Sequence, residues 1–91
     1  MTKSSLRRWL NQLGNCQSIH RRLSKAHIVG LRQSTVACPL AHVLSVMNPR
    51  QKVAVYSDCI DVGKMSMTPP KHIAEFIKRF DNGVYPDLVA P

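Results

Sequence analysis

Four β-branched residues alternate with other side chains on either side of the Ser57-Asp58 pair. With that pair as a two-residue turn, Val55 faces Ile60 and Val53 faces Val62 on one side of a β-hairpin. Alternation of this kind is typical of a half-buried strand and does not fit a helix. The pattern predicts a hairpin near residues 52–63, with these four side chains against a hydrophobic layer.

The segments before and after the hairpin repeat apolar residues at helical spacing. They carry start and stop signals, such as Asn15 before the second segment, Cys38-Pro39 before the third and Asn82-Gly83 after the last. In the first segment, Ser4 and Ser5 stand where free backbone N–H groups need acceptors. The predicted helices lie near residues 5–13, 16–26, 39–47 and 69–81.

A chain of 91 residues is long enough for one hydrophobic core and too short for two. We predict one domain over residues 1–91 of the α+β class, with three N-terminal helices, a β-hairpin and a C-terminal helix. The third helix is predicted to be buried, and the tail is predicted to pack back through Val84, Tyr85, Leu88 and Val89. The predicted core consists of Leu10, Leu13, Leu23, Leu44, Val53, Val55, Ile60, Ile73, Phe76, Ile77 and Phe80.

Acidic residues are absent from the first 57 positions. The nine Lys and Arg residues there face no Asp or Glu, whereas from Asp58 onward four basic residues oppose five acidic ones. Such a one-sided charge favours a polyanionic partner, either nucleic acid or an acidic protein surface. No stretch approaches the roughly 20 apolar residues of a membrane span, so we expect a soluble protein without a membrane partner.

Basic residues of the first two predicted helices are the leading candidates for a binding site, because the apolar stripes leave their faces free. Arginine forks match phosphate oxygens. A winged helix-turn-helix would read base edges with its third helix, but that helix has no Arg, Lys, Asn or Gln. We therefore predict nucleic-acid binding through phosphates with little sequence preference. The predicted binding residues are Arg7, Arg8, Arg21, Arg22 and Lys25.

The alternative function is that of a protein-interaction module. Hairpin edges and an exposed Trp9 or Tyr56 suit docking on an acidic host protein. Composition does not separate this alternative from nucleic-acid binding, and it says nothing about oligomeric state. In both cases the expected role is that of an accessory or regulatory protein.

Two Cys-x-x-x-His pairs, Cys16 with His20 and Cys38 with His42, form the sharpest chemical pattern. The i, i+4 spacing puts both side chains of a pair on one helical face, and two pairs would give Zn²⁺ a tetrahedral set of ligands. Structural zinc, however, usually takes closely spaced pairs on tight turns, and free cysteine is commonly buried. We expect two core cysteines, two ordinary histidines, no metal and no cofactor.

No catalytic site is expected. A helix N-terminus would favour a thiolate at Cys38, but no Asp or Glu precedes Asp58 to orient a histidine beside it. Asp58 and Asp61 lie around the predicted hairpin turn, where solvated charge is the usual role. The four glycines stand far apart and form no phosphate-binding loop. The sequence thus predicts a protein that is not an enzyme.

Three short motifs follow one another along the chain. They are Ile28-x-Gly30-x-Arg32, Cys38-Pro39-Leu40-Ala41-x-x-Leu44 and Phe76-Ile77-x-x-Phe80-Asp81-x-Gly83-x-Tyr85-Pro86. Together with the valine-rich hairpin they resemble small uncharacterised proteins of bacteriophages and prophages. The resemblance implies the cytoplasm of a bacterial host cell as the setting and carries over no activity and no functional residue.

Overall fold

Two amphipathic helices, α1 (Lys3–Gln12) and α2 (Cys16–Lys25), open the computed structural model, which describes residues 2–91. The Thr2 hydroxyl accepts from the Ser5 N–H at 3.1 Å, and the Ser5 hydroxyl accepts from the Thr2 N–H at 3.0 Å. This capping box begins α1 two residues earlier than the Ser4-Ser5 pair predicted.

The start of α2 follows the prediction. The side-chain oxygen of Asn15 accepts from the Ser18 N–H at 2.9 Å and caps the helix. Gly14 has a φ of +82°, in the left-handed region that a glycine adopts at low cost, so it turns the chain from α1 into α2.

The third helix, α3 (Pro39–Met47), begins at the predicted Cys38-Pro39 pair and ends at Asn48. Leu40 and Leu44 on its inner side are buried, and this side packs on the first strand. The prediction that α3 is buried as a whole is wrong, because Val46 is 81% exposed and Met47 is 41% exposed. The helix is apolar nearly all round, whereas the core covers only one side of it.

An antiparallel sheet in the order β1-β2-β3 follows α3 and consists of β1 (Val53–Val55), β2 (Ile60–Val62) and β3 (Met65–Met67). Val55 pairs with Ile60 and Val53 with Val62, so the predicted register is confirmed. The third strand was not predicted, because methionine carries little strand preference. Gly63, with a φ of +61°, opens the two-residue turn between β2 and β3.

The last helix, α4 (Lys71–Asp81), begins two residues after the predicted start at residue 69, because Pro70 is extended and precedes the helix, and it ends at the predicted Asn82. A short 3₁₀ helix (Pro86–Leu88) then brings the tail back over the core. Tyr85 and Leu88 are buried, as predicted, and the Tyr85 ring stacks on Phe76 with centroids 5.1 Å apart. Val84 was predicted to pack inward, but its side chain is 55% exposed.

A continuous hydrophobic cluster joins these elements. In it, α1 packs on β3, α3 packs on β1, and α2 packs on α4 and on the 3₁₀ helix. The predicted core residues are buried, apart from Leu13, which is half-buried at the edge of the cluster. Within residues 2–91, no helix is long and apolar enough to cross a membrane.

Gly30 lies where three backbone segments meet. Its N–H donates to the Leu88 carbonyl at 2.8 Å, and its own carbonyl accepts from the Ala90 N–H at 2.8 Å. On the other side, a Cβ at this position would lie 2.5 Å from the Ala37 carbonyl oxygen and 2.6 Å from the Pro39 nitrogen. Both clashing atoms belong to the backbone and are unable to move aside as a flexible side chain would. The crossing therefore requires glycine.

Replacing Gly30 tests this crossing. We expect Gly30→Ala to lower the free energy of unfolding by about 1–3 kcal/mol or more, the usual cost of overpacking a tight site. The urea midpoint, followed by far-UV circular dichroism, measures the change. The matched control is Leu31→Ala, because Leu31 is exposed and adjacent. Equal urea midpoints for Gly30→Ala and the wild type would contradict the claim that the backbone crossing requires glycine.

Candidate nucleic-acid interface

The outer face of α1 carries three cations. Leu6 and Leu10 fix the orientation of the helix by packing into the core, and Lys3, Arg7 and Arg8 remain exposed. These three side chains line an open depression of about 550 Å³, together with Ser4, Asn11 and Gln12. The depression holds basic and neutral polar groups and no carboxylate. This set of residues is called the α1 basic face below.

A second basic face lies on α2. Ile19 and Leu23 are buried, and the outer side presents Arg21 and Lys25. These two cations line a shallow depression of about 440 Å³ with Gln17, His20 and Ser24. Of the five predicted binding residues, Arg22 alone turns another way, toward a cleft that it lines with Trp9 and Leu13 of α1. The predicted surface thus consists of an α1 basic face and an α2 basic face, with Arg22 and a cleft between them.

None of these six cations has an acidic partner. Within residues 2–91, the ion pairs are His20 with Asp87 at 2.8 Å and Arg79 with Glu75 at 2.6 Å. These six cations are therefore exposed to solvent and form no ion pair, whereas the carboxylate of Asp87 lies at the edge of the α2 basic face, where it bonds to His20. Such charges produce a positive potential that attracts a polyanion and releases its counterions on contact.

The two Cys-x-x-x-His pairs have other partners. The Cys16 thiol donates to the His72 carbonyl at 3.5 Å, and the Cys38 sulfur accepts from the Ala41 N–H at 3.4 Å. His42 Nδ1 bonds to the Val29 carbonyl at 2.9 Å. In the part of the chain that the structure describes, no three His, Cys, Asp or Glu side chains come together as a metal ion requires.

The acid–base environment of the remaining candidates differs from that of a catalytic centre. Burial raises the pKa of the Cys38 thiol, so the helix N-terminus does not activate it. Hydrogen bonds from Ser66 and Cys59 hold the pKa of Asp61 below its ordinary value, which keeps this carboxyl ionised. Cys38 is therefore not an activated nucleophile, and the ionised carboxyl of Asp61 is not a general acid.

His20 joins α2 to the C-terminal tail, a contact that sequence reasoning missed. Its Nε2 lies 2.9 and 2.8 Å from the two carboxylate oxygens of Asp87, and its ring stacks on Tyr85 with centroids 4.6 Å apart. The partners are 67 positions apart, and no local pattern links them. Lys3 was also missed as a member of the basic surface, although its i, i+4 spacing to Arg7 places both on one face.

The contact between His20 and Asp87 predicts how the stability of the fold depends on pH. The hydrogen bond from His20 holds the pKa of Asp87 below its ordinary value of about 3.9. A depressed carboxyl pKa stabilises the fold above that ordinary value, and the contribution is lost as pH falls through the folded-state pKa. We expect Asp87→Asn to be less stable than the wild type at pH 7, with a difference that narrows below about pH 4.

Urea midpoints between pH 3 and pH 7 measure this difference. The matched control is Asp58→Asn, because Asp58 is exposed at the hairpin turn and has no ion-pair partner. Its stability difference from the wild type should stay near zero. A difference for Asp87→Asn that is constant across this pH range would contradict the role given to the ionised carboxylate.

Comparison with known proteins adds nothing to this geometry: no protein-family model, no curated protein and no solved structure matches the chain.

Proposed function

We propose that this protein binds nucleic acid through the phosphate backbone, with little sequence preference, and acts as a non-enzymatic accessory or regulatory protein. The observation that carries the proposal is the set of six exposed, unpaired cations on α1 and α2. They are Lys3, Arg7, Arg8, Arg21, Arg22 and Lys25. Arginine supports phosphate binding in particular, because its planar fork donates two parallel hydrogen bonds to phosphate oxygens.

The composition of α3 supports the lack of sequence preference. In a helix-turn-helix protein, the third element would carry side chains that donate to or accept from base edges. Here the exposed residues of α3 are His42, Val46 and Met47. Val46 and Met47 have no hydrogen-bonding group for the base edges of the major groove, and Nδ1 of His42 is already bonded to the Val29 carbonyl. Contacts to phosphates alone fix position without reading sequence.

The proposed setting is the cytoplasm of a bacterial host cell, on the strength of the resemblance to small phage and prophage proteins. That setting offers double-stranded and single-stranded nucleic acid in excess. Low-micromolar affinity in about 100 mM salt would suffice for occupancy.

Charge reversal on each basic face tests the proposal. We expect Arg7→Glu with Arg8→Glu, and separately Arg21→Glu with Lys25→Glu, to weaken binding to a mixed-sequence DNA duplex by about tenfold or more in 100 mM salt. Each phosphate contact that is lost should also reduce the slope of log K against log salt by about one unit. Fluorescence anisotropy of a labelled duplex over a salt series measures both quantities.

The matched control reverses the same number of charges elsewhere. Lys64 and Lys71 are exposed and lie outside α1 and α2, so Lys64→Glu with Lys71→Glu changes net charge equally without touching either basic face. This variant should lose much less affinity, and duplexes of different base composition should bind alike. No binding by the wild type at low micromolar concentration, or an equal loss in the control, would refute the proposal.

A further inference from the structure

An apolar groove crosses the molecule beside the two basic faces. One cleft of about 230 Å³ lies among α1, α2 and α3, and a second of about 220 Å³ runs along the outer side of α3. Both are lined by Ile28 and Val43, so the two clefts adjoin each other. The groove is defined by Trp9, Leu13, Ile28, Val43, Val46 and Met47, and it is called the apolar groove below.

The outer residues of α3 that line this groove are not part of the core. The inner residues of α3, Leu40 and Leu44, already pack into the core, whereas Val46 at 81% exposure and Met47 at 41% exposure face solvent. Exposed apolar side chains that adjoin a cleft differ from the scattered ones that every protein surface carries, because together they offer continuous area for burial. At roughly 25 cal/mol per Å², covering such a surface favours association.

The charged residues around the groove indicate what kind of partner would bind there. The ionisable groups that line it are Arg22 from α2 and His42 from α3. No carboxylate lines it, and residues 2–57 contain none. An apolar floor with the guanidinium of Arg22 at its margin is complementary to a segment whose apolar stripe is flanked by carboxylates.

A second copy of this chain fits the groove less well. Pairing about a two-fold axis would bring each groove against itself and place Arg22 near its own copy. The formal net charge of +8 per chain adds to that repulsion. Charge therefore favours an acidic partner over self-association.

We propose that the apolar groove binds an amphipathic helix of a protein partner, with apolar residues at i, i+3 or i+4, and i+7, and with Asp or Glu beside that stripe. A helix of about 15 residues has about four turns and is about 23 Å long. Anchors spaced along such a helix would enter the cleft at Trp9 and the cleft at Val46 in turn. The site lies between the two basic faces and shares Arg22 with the proposed nucleic-acid surface, but its occupancy by a peptide does not require nucleic-acid binding.

Trp9 reports on occupancy directly, because it is the single tryptophan of the chain and lines the groove. The probe is a synthetic helix-forming peptide of about 15 residues with leucines at the stripe positions and glutamates beside them. A second peptide has the same composition with the stripe scrambled. We expect the striped peptide to shift the emission of Trp9 saturably, and we expect the scrambled peptide to bind at least tenfold more weakly.

Two variants locate the site. Val46→Glu places a carboxylate at the groove, and Val36→Glu places one at another exposed valine, at 63% exposure, that lines neither cleft. Both positions are exposed, so both variants should keep the wild-type circular dichroism spectrum. We expect Val46→Glu to weaken the striped peptide at least tenfold and Val36→Glu to leave its affinity within about twofold.

Several outcomes would overturn the proposal. One is no saturable change in Trp9 emission up to about 100 µM striped peptide. Equal binding of the two peptides would mean that charge alone attracts them to the basic faces. Equal weakening by the two valine variants would place the peptide elsewhere. A wild-type dimer in sedimentation that Val46→Glu dissociates would assign the groove to a second copy. None of these outcomes bears on the duplex titrations, which depend on the charge-reversal variants.

Discussion

The backbone crossing at Gly30 holds together parts of the chain that are far apart in sequence. On one side of this residue, hydrogen bonds tie it to Leu88 and Ala90 of the tail, and on the other side it lies against the backbone that leads into α3. The Leu31 N–H donates to the Ala37 carbonyl at 2.8 Å and closes the loop between them. The position of α3 relative to α2 and the tail, and hence the shape of the apolar groove, depends on this contact.

A small core explains why the N-terminal helices are divided so sharply into two sides. A chain of this length buries a limited fraction of its surface, so each helix must contribute apolar side chains to a shared cluster. Leu6 and Leu10 do so from α1, and Ile19 and Leu23 do so from α2. The outer faces of α1 and α2 contribute no side chain to this cluster. Six cations without an ion-pair partner lie on them, and Asp87 of the C-terminal part pairs with His20 and with none of these six.

Periodicity predicted the elements whose signals are local. The four helices, the Asn15 cap and the hairpin register from Val53 to Val62 follow from spacing and from residues beside the element ends. The strand Met65–Met67 escaped prediction because its pairing depends on β2 and on a glycine turn, and its own residues favour no strand. The early start of α1 was missed because the prediction places Ser5 at the helix start, whereas it lies inside the helix and forms a capping box with Thr2.

The candidate site was predictable only in its composition. The absence of acidic residues predicted the basic faces, which include Arg7, Arg8, Arg21 and Lys25. It did not show that Arg22 lines the cleft between α1 and α2 and lies apart from the α2 basic face. The apolar groove was not predicted, because its walls come from four segments, α1, α2, the Ile28 loop and α3, whose relative positions the sequence does not show. One signal could have revealed it, namely that α3 is apolar on nearly every side in a domain too small to bury it completely.

The most direct test of the central claim, that the two basic faces are the surface that meets nucleic acid, is an amide chemical-shift titration of the labelled protein. A mixed-sequence DNA duplex is added in about 100 mM salt, and the shifts are mapped onto the fold. The account predicts that the largest changes fall on the outer faces of α1 (Lys3–Gln12) and α2 (Cys16–Lys25) and are small in the sheet and α4. Changes concentrated on the sheet or α4, or no changes at all, would contradict it.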